Sequence, residues 1–199
     1  MSEVLAFLFG YLLGSIPFGL VIVRAAGLGD VRSIGSGNIG ATNVLRTGRK
    51  ELALATLLLD AGKGGIAVVI AGALTGWSPL PMALAGAGAF LGHCFPVWLR
   101  FHGGKGIATY LGTALAFDWR VALILGLVWL AAAKLTRYSS MGGLSATSAA
   151  PFLFWWLAGP PFALAAAFMT VIVFYRHRAN IARLRAGTEP KVGEKKAKA

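Results

Sequence analysis

Long apolar runs, separated by short loops of glycine, small polar and basic residues, dominate this chain. Residues 4–23, 52–74 and 80–99 are apolar runs of 20, 23 and 20 residues. A helix that crosses a bilayer takes about 20 residues, so each run predicts one membrane span. Two further stretches are interrupted. Residues 107–133 are apolar except for Asp118 and Arg120, and residues 144–175 are apolar but broken by "GPP" at 159–161. Either stretch fits one long helix or a hairpin of two short ones.

Charge decides between these. The 199 residues carry only 13% charged side chains, with a mean hydropathy of +0.71. Soluble domains average about 25% charged residues, so the expected solvent is lipid. The net charge is +12. In so apolar a chain this excess reads as topology signals and attraction to anionic lipid headgroups, not as a nucleic-acid surface. Basic clusters lie at 24–50, 100–105, 134–137 and 176–198, and the turns between them, "TGWSP" at 75–79, "FDWR" at 117–120 and "AGPP" at 158–161, carry little positive charge. With two hairpins the basic and neutral loops alternate, and every Lys and Arg except Lys63 and Arg120 lies on one side. The expectation is therefore an all-α polytopic membrane protein of seven helices, several of them short. Its N-terminus is outside and its C-terminus cytoplasmic. Residues 1–187 form one integral-membrane unit, and 188–199 a basic, disordered cytoplasmic tail. The first run lacks a basic start and reads as a retained span, not a cleaved signal.

The candidate chemistry lies in the basic loops. "SIGSGNIGATN" at 33–43 contains Gly35, Gly37 and Gly40 in the spacing of a dinucleotide fingerprint, and Asp60 follows twenty residues on. That fingerprint needs a strand before it and a helix after it. Here it lies between two spans, so the dinucleotide reading fails. The glycines can still turn successive backbone N–H groups towards an anion, with Ser36, Asn38, Thr42 and Asn43 as neutral donors and Arg46 as a nearby charge. The plainer alternative is a flexible loop with topology arginines. "FHGGKGIAT" at 101–109 places Lys105 among Gly103, Gly104 and Gly106 at the start of an apolar helix. A helix N-terminus favours anions, and the lysine supplies a full charge. "LTRYSSMGGLSATS" at 135–148 offers Ser140 and other hydroxyls, which serve equally well as helix caps. In "YRHRANIARLRAGTEPK" at 175–191, His177 and Asn180 share a helical face, among basic residues that also suit a helix lying on anionic lipid.

Within the spans, Asp60 and Lys63 are three apart on one helical face and predict an ion pair, because lone charges at that depth are costly. His93 reads either as a hydrogen-bonding residue of the site or as a packed aromatic. Cys94, the only cysteine, reads as core. Neither a metal-ligand cluster nor a Ser-His-Asp triad is visible.

On these residues the chain resembles the PlsY family, the bacterial acyl-phosphate:glycerol-3-phosphate acyltransferases. The motifs that carry the resemblance are "GSIPFG" at 14–19, "IGSGNIGATN" at 34–43, "LDAGKG" at 59–64, "GHCFPVWLRFHGGKGIAT" at 92–109, "RYSS" at 137–140 and "RHRANIARLRAGTEP" at 176–190. The resemblance implies transfer of a fatty acyl group from acyl phosphate to the 1-hydroxyl of glycerol 3-phosphate. The products are lysophosphatidic acid and inorganic phosphate, the first acylation of phospholipid synthesis, made at the cytoplasmic face of a bacterial inner membrane. The H-x-x-x-x-D motif of acyltransferases that use thioester donors is absent, since Trp98, Ile107 and Ala182 stand where its aspartate would be. The resemblance implies catalytic roles for Ser36, Arg46, Lys105, His177 and Asn180. It implies substrate contacts for Gly35, Gly37, Asn38, Thr42, Asn43, His93, Gly103, Gly104, Gly106, Ser140, Arg183 and Glu189. No metal or cofactor is expected. The expected partners are the two substrates, the bilayer and the soluble synthase that makes acyl phosphate. A small-anion transporter is the rival class. The absence of inverted internal repeats speaks against it, as does the placing of polar motifs at one face instead of the midplane.

Overall fold

The computed structural model describes residues 1–192, and among these ten α-helices and connecting loops form the whole fold. They are α1 (Glu3–Gly14), α2 (Phe18–Ala25), α3 (Ala41–Val44), α4 (Lys50–Leu74), α5 (Pro79–Cys94), α6 (Ile107–Phe117), α7 (Trp119–Thr136), α8 (Ser139–Leu157), α9 (Pro160–Arg176) and α10 (Arg178–Arg185). Both interrupted stretches are helix pairs. Asp118 ends α6 and caps α7 by accepting the N–H groups of Arg120 (2.8 Å) and Val121 (3.4 Å). Gly159, at φ +100°, and the proline pair that starts α9 separate it from α8. Arg120 donates to the Leu157 carbonyl (3.1 Å), which ties these two turns together on the side away from the basic loops. Trp77, Trp119, Trp155 and Trp156 are exposed at these non-basic turns, as befits an aromatic belt at a membrane interface.

The first apolar run is not one helix. It breaks at Ser15–Pro17, because proline removes a backbone donor and clashes with the turn before it. Four stretches, Glu3–Ala25, Lys50–Leu74, Pro79–Leu99 and Trp119–Thr136, are long and apolar enough to cross a bilayer. Pro160–Arg176 qualifies as a fifth only with Arg178–Arg185, across a 58° bend. The expected seven therefore rests on α6, α8 and α9 crossing as well. The tail expected to be disordered from 188 does not start there: Glu189 is buried, and the Val192 N–H donates to the Arg137 carbonyl (2.8 Å). The rest of that expectation, 193–199, lies outside the described residues.

Two kinds of packing hold the bundle. Helices α5 to α9 share an apolar core around Phe90, Tyr110, Leu125, Phe154 and Met169, in which Phe117 packs against Phe154 and Phe162 at centroid separations of 5.6 and 4.7 Å. Pro151 leaves the Thr147 carbonyl without its helical donor, and the Thr170 hydroxyl fills that role at 2.9 Å. Between α1 and α5 the backbones touch: Gly10 and Gly14 face the Ala85 and Ala89 carbonyls, and Gly88 and Gly92 face those of Phe7 and Tyr11. In lipid, where apolar burial adds little, such close approach of small residues is what joins helices. Gly88→Leu would drive a side chain into the α1 backbone. It is expected to lower the melting temperature in detergent by roughly 5–10 °C. An unchanged melting curve would contradict this packing.

Candidate active site

The basic loops converge. The loop before α3 is held by one side chain, Asn43, which is buried. Its Nδ2 donates to the carbonyls of Val31 (2.8 Å), Ile34 (3.1 Å) and Asn38 (2.8 Å). Its Oδ1 accepts from the N–H and the hydroxyl of Ser36 at 3.1 and 3.3 Å. Gly35 (φ +54°) lies beneath the Arg46 side chain, and a Cβ there would collide with Asn43 Oδ1 and Arg46. Arg46 is thus laid across the glycine loop, with no hydrogen-bond partner of its own among the described residues. Asp30, at the loop's start, is held well below the ordinary carboxylate range, first by hydrogen bonds from Arg32. Gly37, Asn38 and Thr42 are at least partly open to solvent.

The second loop is clamped from two sides. The N–H groups of Gly103 and Gly104 donate to the Cys94 and His93 carbonyls at 3.1 and 3.0 Å. Their own carbonyls accept from Arg176, whose Nε lies 3.0 Å from the Gly104 oxygen and whose guanidinium stacks on Phe95. This fixes the turn that presents Lys105. Gly106, at φ +84°, completes it against the Phe90 ring. The Lys105 ammonium donates to Asn180 Oδ1, and Asn180 Nδ2 donates to Glu189 Oε1. The Asn180 amide is thereby oriented by a cation on one side and a carboxylate on the other. Ser140 Oγ (2.7 Å) and Arg183 Nε (2.8 Å) complete the donors around Glu189.

Electrostatics follow from this crowding. Burial, first, pushes Lys105 down to about 8; Glu189 opposes this, and Arg183, Arg176 and Arg46 add to it. Burial would raise Glu189, but hydrogen bonds from Asn180, Ser140 and Arg183 outweigh it and hold the carboxyl low. His177, in the junction beyond α9, is pushed down to about 4, mainly by burial, so it is neutral at pH 7. Its Nδ1 donates to the Val173 carbonyl (2.9 Å), because a carbonyl can only accept. The lone pair on Nε2 is left facing Gly143.

Lys105, Asn180, Ser140, Arg183 and Glu189 are therefore brought into one hydrogen-bonded cluster, with His177 beside it and Arg46 within its electrostatic reach. Ser36 and Asn43 meet in the first loop. His93 is elsewhere: its ring lies behind Gly104, with Nδ1 3.5 Å from Asp60 Oδ1. The Asp60–Lys63 pair forms as expected, at 2.8 Å. The sequence alone does not separate Arg176 from the basic residues around it. Only the fold separates it, turned inward to the loop, from Arg178, which stacks outward on Tyr175.

Helices long and apolar enough for a membrane, with a cluster of cations and turned glycines at their ends, define a helical membrane protein whose candidate site suits anions. The comparisons narrow the class. The profile of the glycerol-3-phosphate acyltransferase family matches residues 4–187. The glycerol-3-phosphate acyltransferases of Mesorhizobium japonicum and Bradyrhizobium diazoefficiens are 61% and 56% identical, covering 96% of this chain and 97% and 95% of theirs. A crystal structure of PlsY, an integral membrane glycerol 3-phosphate acyltransferase in its glycerol 3-phosphate form, superposes with a TM-score of 0.90 at 39% identity, over 97% of this chain and 96% of that one. A second, the lysophosphatidic acid form, gives 0.89 at 38% identity, over the same shares of both chains. The chain belongs to the glycerol-3-phosphate acyltransferase family of PlsY proteins, and it is an acyltransferase.

Below pH 8 the Lys105 ammonium attracts an anion; above it that charge is lost. Affinity for sulfate, whose charge does not change in this range, measured by calorimetry in lipid nanodiscs, is therefore expected to fall as pH rises from about 7 to 9.5, because burial lowers the lysine to about 8. Affinity that stays flat over this range would contradict that role.

Proposed function

We propose that this protein transfers the acyl group of a fatty acyl phosphate to the 1-hydroxyl of glycerol 3-phosphate. The observation that carries this reading is the convergence of Lys105, Arg46, Arg176 and Arg183 on one site at the ends of apolar helices. Both substrates bring a phosphate, and one brings a lipid chain. An acyl phosphate is already an activated mixed anhydride, so no enzyme nucleophile is required. The hydroxyl oxygen attacks the acyl carbon, the bond between that carbon and the bridging oxygen breaks while the P–O bond stays intact, and phosphate departs with the hydroxyl proton. The products are lysophosphatidic acid and inorganic phosphate.

Each residue has a role in that step. Lys105 and Arg46 hold phosphate and stabilise the developing oxyanion, the kind of preorganised charge that dominates such catalysis. Ser36, Asn38 and Thr42, with the N–H groups around Gly35 and Gly37, orient one phosphate on the frame Asn43 supplies. Gly103, Gly104 and Gly106 shape the glycerol 3-phosphate pocket. His177, neutral and with Nε2 free, accepts a hydrogen bond from the attacking hydroxyl and aligns it. So low a basicity leaves the proton to the phosphate. Asn180, Ser140, Arg183 and Glu189 brace Lys105.

The topology we propose has seven crossings, with the N-terminus outside and the site at the cytoplasmic face of a bacterial inner membrane. There a soluble acyl-phosphate-forming synthase supplies the donor. The positive-inside pattern supports that orientation.

Purified protein in lipid, given EDTA, radiolabelled glycerol 3-phosphate and either palmitoyl phosphate or palmitoyl-CoA, tests the reaction. Labelled lysophosphatidic acid is expected from palmitoyl phosphate alone. Product from palmitoyl-CoA at a comparable rate overturns the donor assignment. No product from either donor overturns the reaction.

A further inference from the structure

Three charged or titratable side chains lie deep in the bundle and touch neither loop's open face. Asp60, Lys63 and His93 are each 4% exposed or less. Lys63 Nζ lies 2.8 Å from Asp60 Oδ1 and donates to the Ile16 carbonyl at 2.7 Å. Ile16 is in the break that Pro17 makes between α1 and α2, where a helix end leaves a carbonyl in need of a donor. The Phe18 N–H also reaches that carbonyl, at 3.1 Å, so an apolar residue at 63 would remove its side-chain donor but not its backbone one, and the Lys63 contact ties the start of α2 to α4.

Each end of this chain of contacts leads to one anion loop. On one side, Gly19 of α2 lies against the Ile39 carbonyl, with no room for a Cβ. Leu20 and Val23 share a small core with Val31, Ile39 and Val44. The start of α2 thereby sets the loop that carries Ser36 and Arg46. On the other side, His93 Nδ1 faces Asp60. The His93 ring backs Gly104, and its carbonyl accepts the Gly104 N–H. The next residue is Lys105.

We propose that Asp60, Lys63 and His93 are positioning residues: a buried cross-brace, from the Ile16 carbonyl to Gly104, that sets the separation of the two phosphate-binding loops. Its purpose rests on the acyl-transfer reading, since two phosphates must be held at one reacting centre. The brace itself is a statement about loop spacing and is testable without turnover. Burying an ion pair is weak evidence for stability, because apolar replacement of both partners is often neutral or stabilising. That property separates positioning from simple support.

The test compares Lys63→Met, Asp60→Asn and the double variant Asp60→Leu/Lys63→Met in nanodiscs. The single variants are expected to melt lower, having lost one partner of a buried pair. The double variant is expected to recover most of the melting temperature. Its kcat is nevertheless expected to stay down at least about tenfold, with KM raised for both phosphate-bearing substrates. A double variant with parent-like melting and parent-like kinetics overturns the proposal. Spin labels at Ser33→Cys and His102→Cys read the loop separation directly, in active or inactive protein. The distance distribution is expected to shift or broaden in Lys63→Met, or in Asp60→Asn should Lys63→Met not fold. A distribution unchanged in the folded variants overturns the brace. An unaltered parent protein that makes no lysophosphatidic acid overturns the acyl-transfer reading instead, and leaves the distance result standing.

Discussion

The proposed acyl transfer depends on one held charge, the ammonium of Lys105, which burial keeps partly out of water and a single neutral amide holds in place. Asn180 accepts from it and passes the interaction to Glu189, which Ser140 and Arg183 also satisfy. An isolated buried cation is expensive, and a direct buried carboxylate partner would neutralise the field meant for substrate. The interposed amide keeps the charge available. Arg176 does complementary work by fixing the Gly103–Gly104 turn, so the lysine is presented from a backbone that does not need to rearrange. Preorganisation of this kind lets charge act on a transition state without a reorganisation cost.

The fold places that charge through breaks as much as through helices. Asp118, Gly159 and Pro17 stop apolar helices where loops must turn, and each break is satisfied by a specific partner: Arg120 and Val121 N–H groups at Asp118, the Arg120 guanidinium at Leu157, and the Lys63 ammonium at Ile16. The first two lie at exposed turns; the Ile16 carbonyl lies within the bundle, where backbone groups depend on protein partners.

Much of this was legible from residue order. Aspartate, glycine and proline mark possible breaks at 117–120 and 158–161, and the alternation of basic and neutral loops selects the hairpins. The Asp60–Lys63 pair follows from its spacing of three. The break at Pro17 was hidden because the surrounding apolar run is long enough to span without it. Asn43 reads equally well as a ligand or a scaffold in sequence, and only its fan of backbone hydrogen bonds shows it building the loop. His93 has its partner 33 residues earlier, a relation no local pattern carries. Glu189 sits in a stretch whose polarity reads as tail. Its burial comes from donors on α8 and α10 that reach it only in the folded chain.

The most direct measurement is the single-turnover rate of Lys105→Met in nanodiscs, with palmitoyl phosphate and glycerol 3-phosphate both saturating. If the held ammonium is the main source of electrostatic stabilisation, the rate falls at least about 100-fold, while the melting temperature stays close to that of the parent. A rate within threefold of the parent in a folded Lys105→Met protein would contradict the account.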